Sequence, residues 1–481
     1  MLIHWIIFFF NVLILIYFLY VNFTYISLNL IAFFKIRKLV KFNPFIRKEQ
    51  AWKSPFSKPI SLVVPAFNES KNIVTSVQAL LQLYYPRYEV ILVNDGSTDD
   101  TLNKLINAFQ LKISPRIPTG NLPTQPIHRI YYSTLYDSLF VIDKENGGKS
   151  DAINVGINFA RFPLVCVIDA DSILERDAFI KMVRPFIERP ETIAVGGIVR
   201  IVNGSVIQNG EVIAPRLSRN ALVRFQSVEY LRAFLFGRVG WDELRSLLII
   251  SGAFGMYRRD ALLNVGGYAS DTIGEDMELT VRLHKYYRKN KKKYRITFIP
   301  EPVCWTEVPE DLRSLKNQRN RWQRGLMQSL LRHKDIFLNP RFGVLGLFSY
   351  PFYIFGEMLS PIVEIGGFLF VLVSWYLGII NLPFALFFFF ASVVLAVLLS
   401  VSSIALEEFA YHRYAKLKDL FILTMYSILE NFGYRQLHAY FRLTGILDYL
   451  KGKQDWGRLR RKGFSTNHRP EVHQPAQEKL P

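Results

Sequence analysis

The chain has 481 residues, of which 50% are hydrophobic and 15% aromatic, and its formal net charge is +19. This length accommodates one large domain plus membrane segments. Both nucleic-acid-binding and membrane proteins concentrate Lys and Arg, but here the basic runs adjoin apolar segments, so we expect a lipid bilayer as partner and no nucleic acid. Cys166 and Cys304 lack ligand-spaced partners, so nothing supports a disulfide framework or a zinc site.

The first apolar segment, residues 5–34, contains no charged residue, no Gly and no Pro. At about 1.5 Å per helical residue it is long enough for one tilted span, and it lacks the small-residue cleavage site of a signal peptide. We therefore predict a transmembrane helix over residues 1–35 and a basic linker over residues 36–54. The basic residues that follow the span are Lys35, Arg37, Lys38, Lys41, Arg47, Lys48 and Lys53. They place the next domain in the cytoplasm by the positive-inside bias.

Three short hydrophobic segments predict strands of an α/β domain over residues 55–340. They are residues 61–65, 89–93 and 164–168, and each ends in a polar loop. Helical spacing follows the strands, and Ser150 is expected to cap one of these helices. Alternation of strand, loop and helix predicts a largely parallel, doubly wound sheet, in which ligands bind beyond the carboxyl ends of the strands.

Acidic side chains follow each predicted strand and should therefore converge at one edge of the sheet. Asp169 and Asp171 have the i, i+2 spacing that suits a hard cation, Mg²⁺ or Mn²⁺, bridging to phosphate oxygens. Glu69 and Asp95 are candidates for hydrogen bonds to a ribose or a base edge. Asp95 has an equal alternative as a turn-former before Gly96.

Three later motifs carry groups suited to binding and proton transfer. Lys149 follows two glycines at a helix start and favours an anion, with a solvent-facing Lys as the alternative. Asp276 begins another predicted helix, where a carboxylate is either a general base or a helix cap. Arg321 supplies a fork for phosphate and Trp322 a flat face for a sugar ring. By themselves, these two residues would indicate an ordinary basic helix.

A second uncharged run, residues 365–406, is about twice the length of one span. It predicts two spans within residues 358–406, joined by a tight external turn, in a membrane region covering residues 341–450. Residues 419–447 are interpreted as an interfacial or protein-buried helix, with a further span as the alternative. Residues 451–481 form a basic tail expected in the cytosol.

In chain order, the motifs resemble glycosyltransferase family 2. The resemblance is carried by Pro65-Ala66-Phe67-Asn68-Glu69, Asn94-Asp95-Gly96-Ser97, Asn146-Gly147-Gly148-Lys149, Asp169-Ala170-Asp171, Ser251-Gly252-Ala253-Phe254-Gly255, Gly274-Glu275-Asp276 and Gln318-Arg319-Asn320-Arg321-Trp322. More narrowly, the set is similar to the processive, membrane-embedded synthases of poly-N-acetylglucosamine, chitin, hyaluronan and cellulose. Each motif is weak alone, but their order is specific, and they cover about residues 55–330.

The resemblance implies a GT-A fold, a UDP-sugar donor with UDP-N-acetylglucosamine favoured, and inversion at the anomeric carbon. It implies that Glu69 and Asp95 hold the uridine and that Lys149 and Asp169 contact the nucleotide diphosphate. Asp171 would ligate the Mg²⁺ or Mn²⁺ ion, with Asp169 as a further candidate ligand.

The resemblance also implies that Asp276 is the catalytic base that deprotonates the acceptor hydroxyl. The residues implied to bind the acceptor and the diphosphate are Gln318, Arg321, Trp322, Ser251 and Gly252. Because successive residues at a helix start point in different directions, only one of Glu275, Asp276 and Glu278 is expected to face the cleft. Glu278 is expected on the solvated face. The motif departs from many family members in having Gly274 where they have Thr.

The leading functional interpretation is a processive polysaccharide synthase, a multi-pass protein of the plasma membrane with a cytosolic catalytic domain. Glu357 and Glu364 either line the route of the product or lie in the headgroup region. The alternative is a single-addition transferase acting on a lipid or lipid-phosphate acceptor, which the motif around Trp322 disfavours. A third interpretation, an inactive assembly subunit, is disfavoured because the expected acidic positions are filled. The sequence leaves an accessory subunit open.

Overall fold

The polar loops are held by a mixed ten-stranded sheet. The structure, a computed structural model, describes residues 2–42, 57–411 and 417–453. The strands are β1 (Ile60–Ala66), β2 (Tyr88–Asp95), β3 (Leu111–Ile113), β4 (Ile127–Ser133), β5 (Leu139–Lys144), β6 (Leu164–Ile168), β7 (Ile173–Leu174), β8 (Thr192–Ile201), β9 (Val206–Gln208), β10 (Glu211–Ala214), β11 (Phe254–Arg258) and β12 (Arg295–Thr306). Strands β9 and β10 form a separate hairpin.

Helices pack around this sheet. Further long apolar helices lie at both ends of the described chain. They are α1 (Leu2–Phe42), α2 (Ile73–Leu80), α3 (Thr101–Phe109), α4 (Lys149–Phe159), α5 (Ala178–Glu188), α6 (Ala221–Tyr230), α7 (Val239–Glu243), α8 (Arg259–Asn264), α9 (Glu275–Lys289), α10 (Leu312–Arg332), α11 (Leu345–Met358), α12 (Ser360–Tyr376), α13 (Leu382–Tyr411), α14 (Leu417–Leu429) and α15 (Arg435–Leu450). A π-helical segment, Leu231–Arg238, joins α6 to α7.

The sheet order is β3-β4-β5-β2-β1-β6-β11-β8-β12-β7. Strands β5, β2, β1 and β6 are parallel, as the sequence predicts, and their hydrophobic runs are buried as expected for strands covered on both faces. The sheet beyond β6 is mixed because β11 runs antiparallel to both β6 and β8. At the other end of the sheet, β4 runs antiparallel to both β5 and β3. The doubly wound α/β prediction is therefore confirmed, with antiparallel strands on both sides of the parallel centre.

Helix α4 approaches the sheet closely because Gly156 has no side chain. A Cβ at this position would lie 2.2 Å from Val63 Cγ1. The helix starts at Lys149 with Gly148 as its N-cap residue, and no side chain caps it. The prediction that Ser150 caps this helix is wrong. The N-cap residue is Gly148, two residues earlier, and its φ of +85° is one that glycine adopts readily.

Two described helical segments, Phe9–Leu39 and Ala385–Tyr411, are long and apolar enough to cross a membrane. A third candidate is the pair α11 and α12, which are bent by 45° relative to each other. The segment Phe9–Leu39 overlaps the predicted amino-terminal span. Helices α12 and α13 overlap the two spans predicted within residues 358–406, whereas nearly all of α11 precedes that region.

Helices α14 and α15 occupy the region predicted to hold an interfacial helix or a further span. Non-helical dihedral angles at Phe432 and Gly433 separate them. Helix α15 packs against α10, where a Cβ at Gly445 would lie 2.7 Å from the Asn320 carbonyl oxygen. This region therefore contains a protein-contacting helix. The basic tail beyond residue 453, together with Arg47, Lys48 and Lys53, lies outside the described residues.

The amino-terminal helix is fastened to the α/β domain through Asp242, which is completely buried in α7. Lys35 on α1 forms an ion pair with Asp242, and Arg295 Nη2 lies 2.8 Å from Asp242 Oδ1. Thr297 Oγ1 donates a hydrogen bond to the other carboxylate oxygen at 3.0 Å. Two cations and a hydroxyl group compensate the buried charge, so the network joins α1, α7 and β12.

Candidate active site

A cavity of about 1250 Å³ lies beside the carboxyl ends of β6, β8 and β12. It contains most of the side chains that the sequence analysis selected. These are Lys149, Asp169, Asp171, Ser251, Gly252, Asp276, Gln318, Arg321 and Trp322. Glu69 and Asp95 are not among the lining residues. The structure thus gathers residues from widely separated segments around one space.

The Lys149 ammonium group lies at the junction of three loops. Its Nζ atom is 2.6 Å from Asp169 Oδ1 and 3.3 Å from Glu275 Oε1, and it donates a hydrogen bond to the Gly252 carbonyl oxygen at 3.1 Å. Burial alone would lower the pKa of Lys149, but the neighbouring carboxylates outweigh it and raise the pKa above its ordinary value. Lys149 is therefore charged at neutral pH and faces the cavity.

Asp276 lies at the start of α9 with both carboxylate oxygens oriented by backbone amides. The Gly252 amide donates to Oδ2 at 2.9 Å, and the Met277 amide donates to Oδ1 at 2.7 Å. A Cβ at Gly252 would lie 3.3 Å from Lys149 Nζ and 3.4 Å from Asp276 Oδ2. Glycine at position 252 therefore keeps open the space between the cation and the carboxylate.

The positions of Glu275 and Glu278, the acids next to Asp276, differ from those predicted. Glu275 also lines the cavity, so the prediction that a single acid of this helix start faces the cleft is wrong. Burial raises the pKa of Glu275, although Lys149 acts in the opposite direction. The prediction that Glu278 lies on the solvated face is also wrong, because its side chain is only 1% exposed and is enclosed by Arg282 and His333.

The two aspartates after β6 fit a divalent cation that completes its coordination with ligand oxygens. Among the described residues, no group of three or more His, Cys, Asp or Glu could hold a metal ion alone. Mg²⁺ is usually bound through one or two carboxylates plus substrate phosphates. Asp169 and Asp171 line the cavity two residues apart, so their carboxylates suit that mode of binding.

Asp95 is buried and organises the loop before α4. Its carboxylate lies 2.6 Å from Lys144 Nζ and accepts hydrogen bonds from the Gly147 amide at 3.0 Å and the Gly148 amide at 2.8 Å. Lys144 also pairs with Asp151 at 2.7 Å. Glu69 lies in the turn after β1, where its amide donates to Thr101 Oγ1 at 3.0 Å. In this structure, Asp95 therefore supports the turn that positions Lys149.

Gly274 explains the departure from the family pattern at the proposed base motif. A Cβ at Gly274 would lie 2.8 Å from Gly325 Cα on α10, so a threonine here would clash with that helix. Gln328 Oε1 accepts a hydrogen bond from the Ile273 amide at 2.8 Å. The loop before Asp276 and the helix carrying Trp322 are consequently in direct backbone contact.

Trp322 is 43% exposed in the cavity and rests on a buried arginine. The Arg319 guanidinium carbon lies 4.3 Å from the centre of the indole ring. Both terminal nitrogens of Arg319 contact Glu229, each at 2.9 Å. Arg319 lies within a selected motif, so its importance could be anticipated. Glu229 comes from α6, which carries no motif that would identify it.

Some buried polar atoms of the cavity-lining residues make no hydrogen bond to any described residue, and two of them differ in chemistry. They are the buried Gln318 Oε1 and Arg238 Nη1. Arg238 lies over the Phe234 ring at 3.8 Å, and burial lowers its pKa to about 10, so it is still a cation at neutral pH. An acceptor and a donor are thereby available to a polar ligand.

Comparison with solved structures identifies the type of fold. The mannosyltransferase PcManGT from Pyrobaculum calidifontis, solved in complex with GDP-Man and Mn²⁺, is similar with a TM-score of 0.51 at 18% sequence identity. The match covers 89% of this chain and 100% of that one. Together with the sheet, this match shows a GT-A fold.

The chain belongs to glycosyltransferase family 2. The model "Glycosyl transferase family 2" matches residues 61–118, and "Glycosyl transferase family group 2" matches residues 164–401. Poly-beta-1,6-N-acetyl-D-glucosamine synthase of Staphylococcus epidermidis is 31% identical over 275 residues, and that of Staphylococcus aureus (strain COL) is 32% identical over 275 residues. Each match covers 57% of this chain and 56% of the relative, little more than half of its length. The resemblance inferred from the motifs is thus confirmed.

The buried Glu278 cluster predicts acid-sensitive stability. Burial alone would raise the pKa of Glu278, but hydrogen bonds and charges from His333 and Arg282 outweigh it, so the pKa is lowered. A lowered folded-state pKa contributes stability above the ordinary carboxyl pKa, and this contribution is lost as the pH falls through the folded value. Glu278→Gln should lower the free energy of unfolding by about 2 kcal/mol at neutral pH.

Thermal unfolding in detergent, followed from pH 7 downward, checks this expectation. The difference between wild type and Glu278→Gln should shrink below about pH 4.3, the ordinary Glu pKa. Glu188→Gln is the control, because Glu188 is exposed and lies 3.8 Å from Arg184, so its loss should cost less than about 1 kcal/mol. Equal effects of the two substitutions at neutral pH would contradict the assignment.

Proposed function

We propose that the protein is an inverting, metal-dependent membrane glycosyltransferase. It transfers sugar from a UDP-sugar, with UDP-N-acetylglucosamine favoured, to a growing polysaccharide. The two staphylococcal relatives carry the name of a poly-N-acetylglucosamine synthase, which supports the choice of sugar and polymer. An accessory subunit is compatible with this proposal.

One observation carries the proposal: the cavity is continuous from the aspartate loop to the membrane region. It begins at Lys149 and Asp171, passes Asp276 and Trp322, and reaches Glu357. A transferase that extends a polymer needs a donor site, a base and an acceptor site in sequence, followed by space for the product. A single cavity of this extent has room for all four, which supports the proposal.

The donor side holds one cation among several carboxylates where a nucleotide diphosphate would lie. Lys149 is the cation there, and Asp169 and Asp171 would hold a divalent ion that offsets the charge developing on the leaving diphosphate. That the mannosyltransferase PcManGT was solved with Mn²⁺ is consistent with this assignment. Glu69 and Asp95 remain our candidates for the uridine side, and Asp95 would act through the Gly147–Gly148 turn as well.

The acceptor side provides a base and a platform. Asp276 would take the proton from the acceptor hydroxyl as its oxygen attacks the anomeric carbon from the face opposite the leaving group. One displacement of this kind inverts the configuration and needs no enzyme nucleophile. Trp322 would stack on the acceptor sugar, while Gln318 Oε1 and Arg321 would bind its polar groups and the diphosphate. Ser251 and Gly252 would line the acceptor entrance.

The far end of the cavity lies among the helices proposed to cross the membrane. Glu357 accepts a hydrogen bond from the Tyr25 hydroxyl at 2.6 Å, and its Oε2 lies 3.6 Å from Arg442 Nη2. Glu357 is a lining residue and Glu364 is not, which favours Glu357 alone on the product route. We propose a multi-pass protein of the plasma membrane, with the domain over residues 55–340 in the cytosol and a membrane region over residues 341–450.

The first test is the identity and length of the product. Membranes containing the protein should convert radiolabelled UDP-N-acetylglucosamine, in preference to other UDP-sugars, into a polymer that is retained on sizing. Excess EDTA should abolish incorporation, and Mg²⁺ or Mn²⁺ should restore it; Asp171→Asn should show no such restoration. A product carrying one sugar on a lipid would favour the single-addition alternative, and full activity in EDTA would contradict metal dependence.

The second test separates the base from its neighbours. Asp276→Asn is nearly isosteric, so donor binding measured by calorimetry should persist while transfer falls by about 10²–10⁴. Glu278→Gln is a control for stability, because Glu278 is buried on the side of α9 that faces His333 and does not line the cavity. Near-normal turnover of Asp276→Asn would exclude it as the base.

The third test concerns topology. Cys166 and Cys304 are both buried, so an introduced cysteine on the surface is selectively labelled. In intact cells an impermeant thiol reagent should label Asn381→Cys, in the turn between α12 and α13, and should leave His128→Cys on β4 unlabelled until the cells are opened. Both positions are exposed in the structure. Labelling of His128→Cys from outside would reverse the proposed orientation.

A further inference from the structure

A run of exposed lysines connects α9 to β12. Its sequence, Lys289-Asn290-Lys291-Lys292-Lys293, contains no acid, and all five residues are exposed. Lys292 Nζ lies 5.4 Å from the centre of the Tyr286 ring. The run lies outside the cavity and takes no part in the proposed reaction. We call it the lysine loop.

One end of the lysine loop lies beside the basic end of the amino-terminal span. Arg295, two residues after the loop, contacts the same buried carboxylate, Asp242, that pairs with Lys35. Arg37 and Lys38 follow on α1 and are exposed. The apolar part of α1 ends where this cluster begins, so the loop lies close to the level at which a span of this kind leaves the hydrocarbon region.

The other end of the lysine loop lies beside a second element with membrane character. Asp335 pairs with Lys285 at 2.8 Å and with Lys289 at 3.3 Å. A Cβ at Gly343 would lie 3.3 Å from Arg288 Nη1. The segment that follows Asp335 leads into α12 and displays large apolar side chains to the outside. They are Leu338, Val344, Leu347 and Phe355.

We propose that the lysine loop is a docking surface for anionic phospholipid headgroups. The cations of the loop lie between the end of one proposed span and an exposed apolar segment that leads to another. This arrangement is expected of an element at the lipid boundary. A loop that was merely solvated would need no such position between two membrane entry points. The inference rests on the proposed membrane location and is independent of the transfer reaction.

Headgroup proximity of the loop can be measured directly. A fluorophore is attached to Asn290→Cys, and the protein is reconstituted into phosphatidylcholine vesicles that contain a trace of phospholipid with a nitroxide-labelled headgroup. Addition of phosphatidylglycerol should increase quenching, and high salt should reverse the increase because screening weakens attraction beyond about 10 Å at 0.1 M. Each lysine near an anionic surface contributes about five-fold, so removing three should weaken the association about a hundred-fold.

The triple variant Lys291→Gln, Lys292→Gln, Lys293→Gln should therefore show only the quenching seen in phosphatidylcholine alone. The matched control removes three exposed cations near the other edge of the sheet, by Lys104→Gln on α3, Lys112→Gln on β3 and Arg129→Gln on β4. It should respond to phosphatidylglycerol as wild type does. Quenching that is insensitive to phosphatidylglycerol, or equally sensitive in the triple variant, would overturn the proposal.

A vesicle flotation experiment distinguishes failure of the docking-surface proposal from failure of the proposed membrane location. Protein that does not float with the lipid would contradict the proposed spans. Protein that floats but shows no lipid-dependent quenching would contradict the docking surface alone. Quenching that is relieved by soluble polyphosphate at constant ionic strength, with no dependence on phosphatidylglycerol, would assign the lysines to a soluble polyanion and also overturn the lipid assignment.

Discussion

The contacts of the partly buried Lys149 ammonium group are the interaction on which the geometry of the cavity depends. It joins the loop after β6, the loop before β11 and the start of α9 through Asp169, Gly252 and Glu275. Without a cation at this point, the carboxylates gathered around it would repel each other in a poorly solvated space. The charge that joins these three segments is also the one that, under the proposed function, would meet the diphosphate, so one group would serve both local structure and binding.

The central sheet was predictable because its evidence is local. Residues 61–65, 89–93 and 164–168 are short apolar runs that end in polar residues, and each became a buried parallel strand. The antiparallel strand β11 was not predictable in the same way. Its pairing with β6 and β8 joins segments more than fifty residues apart along the chain, and no turn chemistry records such a pairing. The start of α4 lies two residues before the predicted one, because Ser150 suggested a cap.

The residues of the candidate site likewise fall into those that local sequence motifs identify and those that only the fold brings into contact. Motifs led to the cavity-lining residues Lys149, Asp169, Asp171, Asp276 and Trp322, since chemistry of this kind constrains several neighbouring positions at once. The solvent exposure of a helical side chain, by contrast, depends on which other elements pack against the helix. Glu278 was placed on the wrong face because the enclosing His333 comes from the end of α10. The partnership of Arg319 with Glu229 was likewise invisible, because it joins two helices that only the fold brings together.

The Asp242 network has a consequence for preparing the α/β domain without its long apolar helices. Removing α1 removes Lys35, and the completely buried Asp242 then has Arg295 as its remaining cationic partner among the contacts of this network. Leu28 would leave the surface of Gly240, against which it is closely packed. A water-soluble form of this enzyme would consequently need a substitute for both contacts, such as a neutral residue at position 242 and a polar covering for α7. The amino-terminal helix is in this sense part of the catalytic domain's interior and more than its tether.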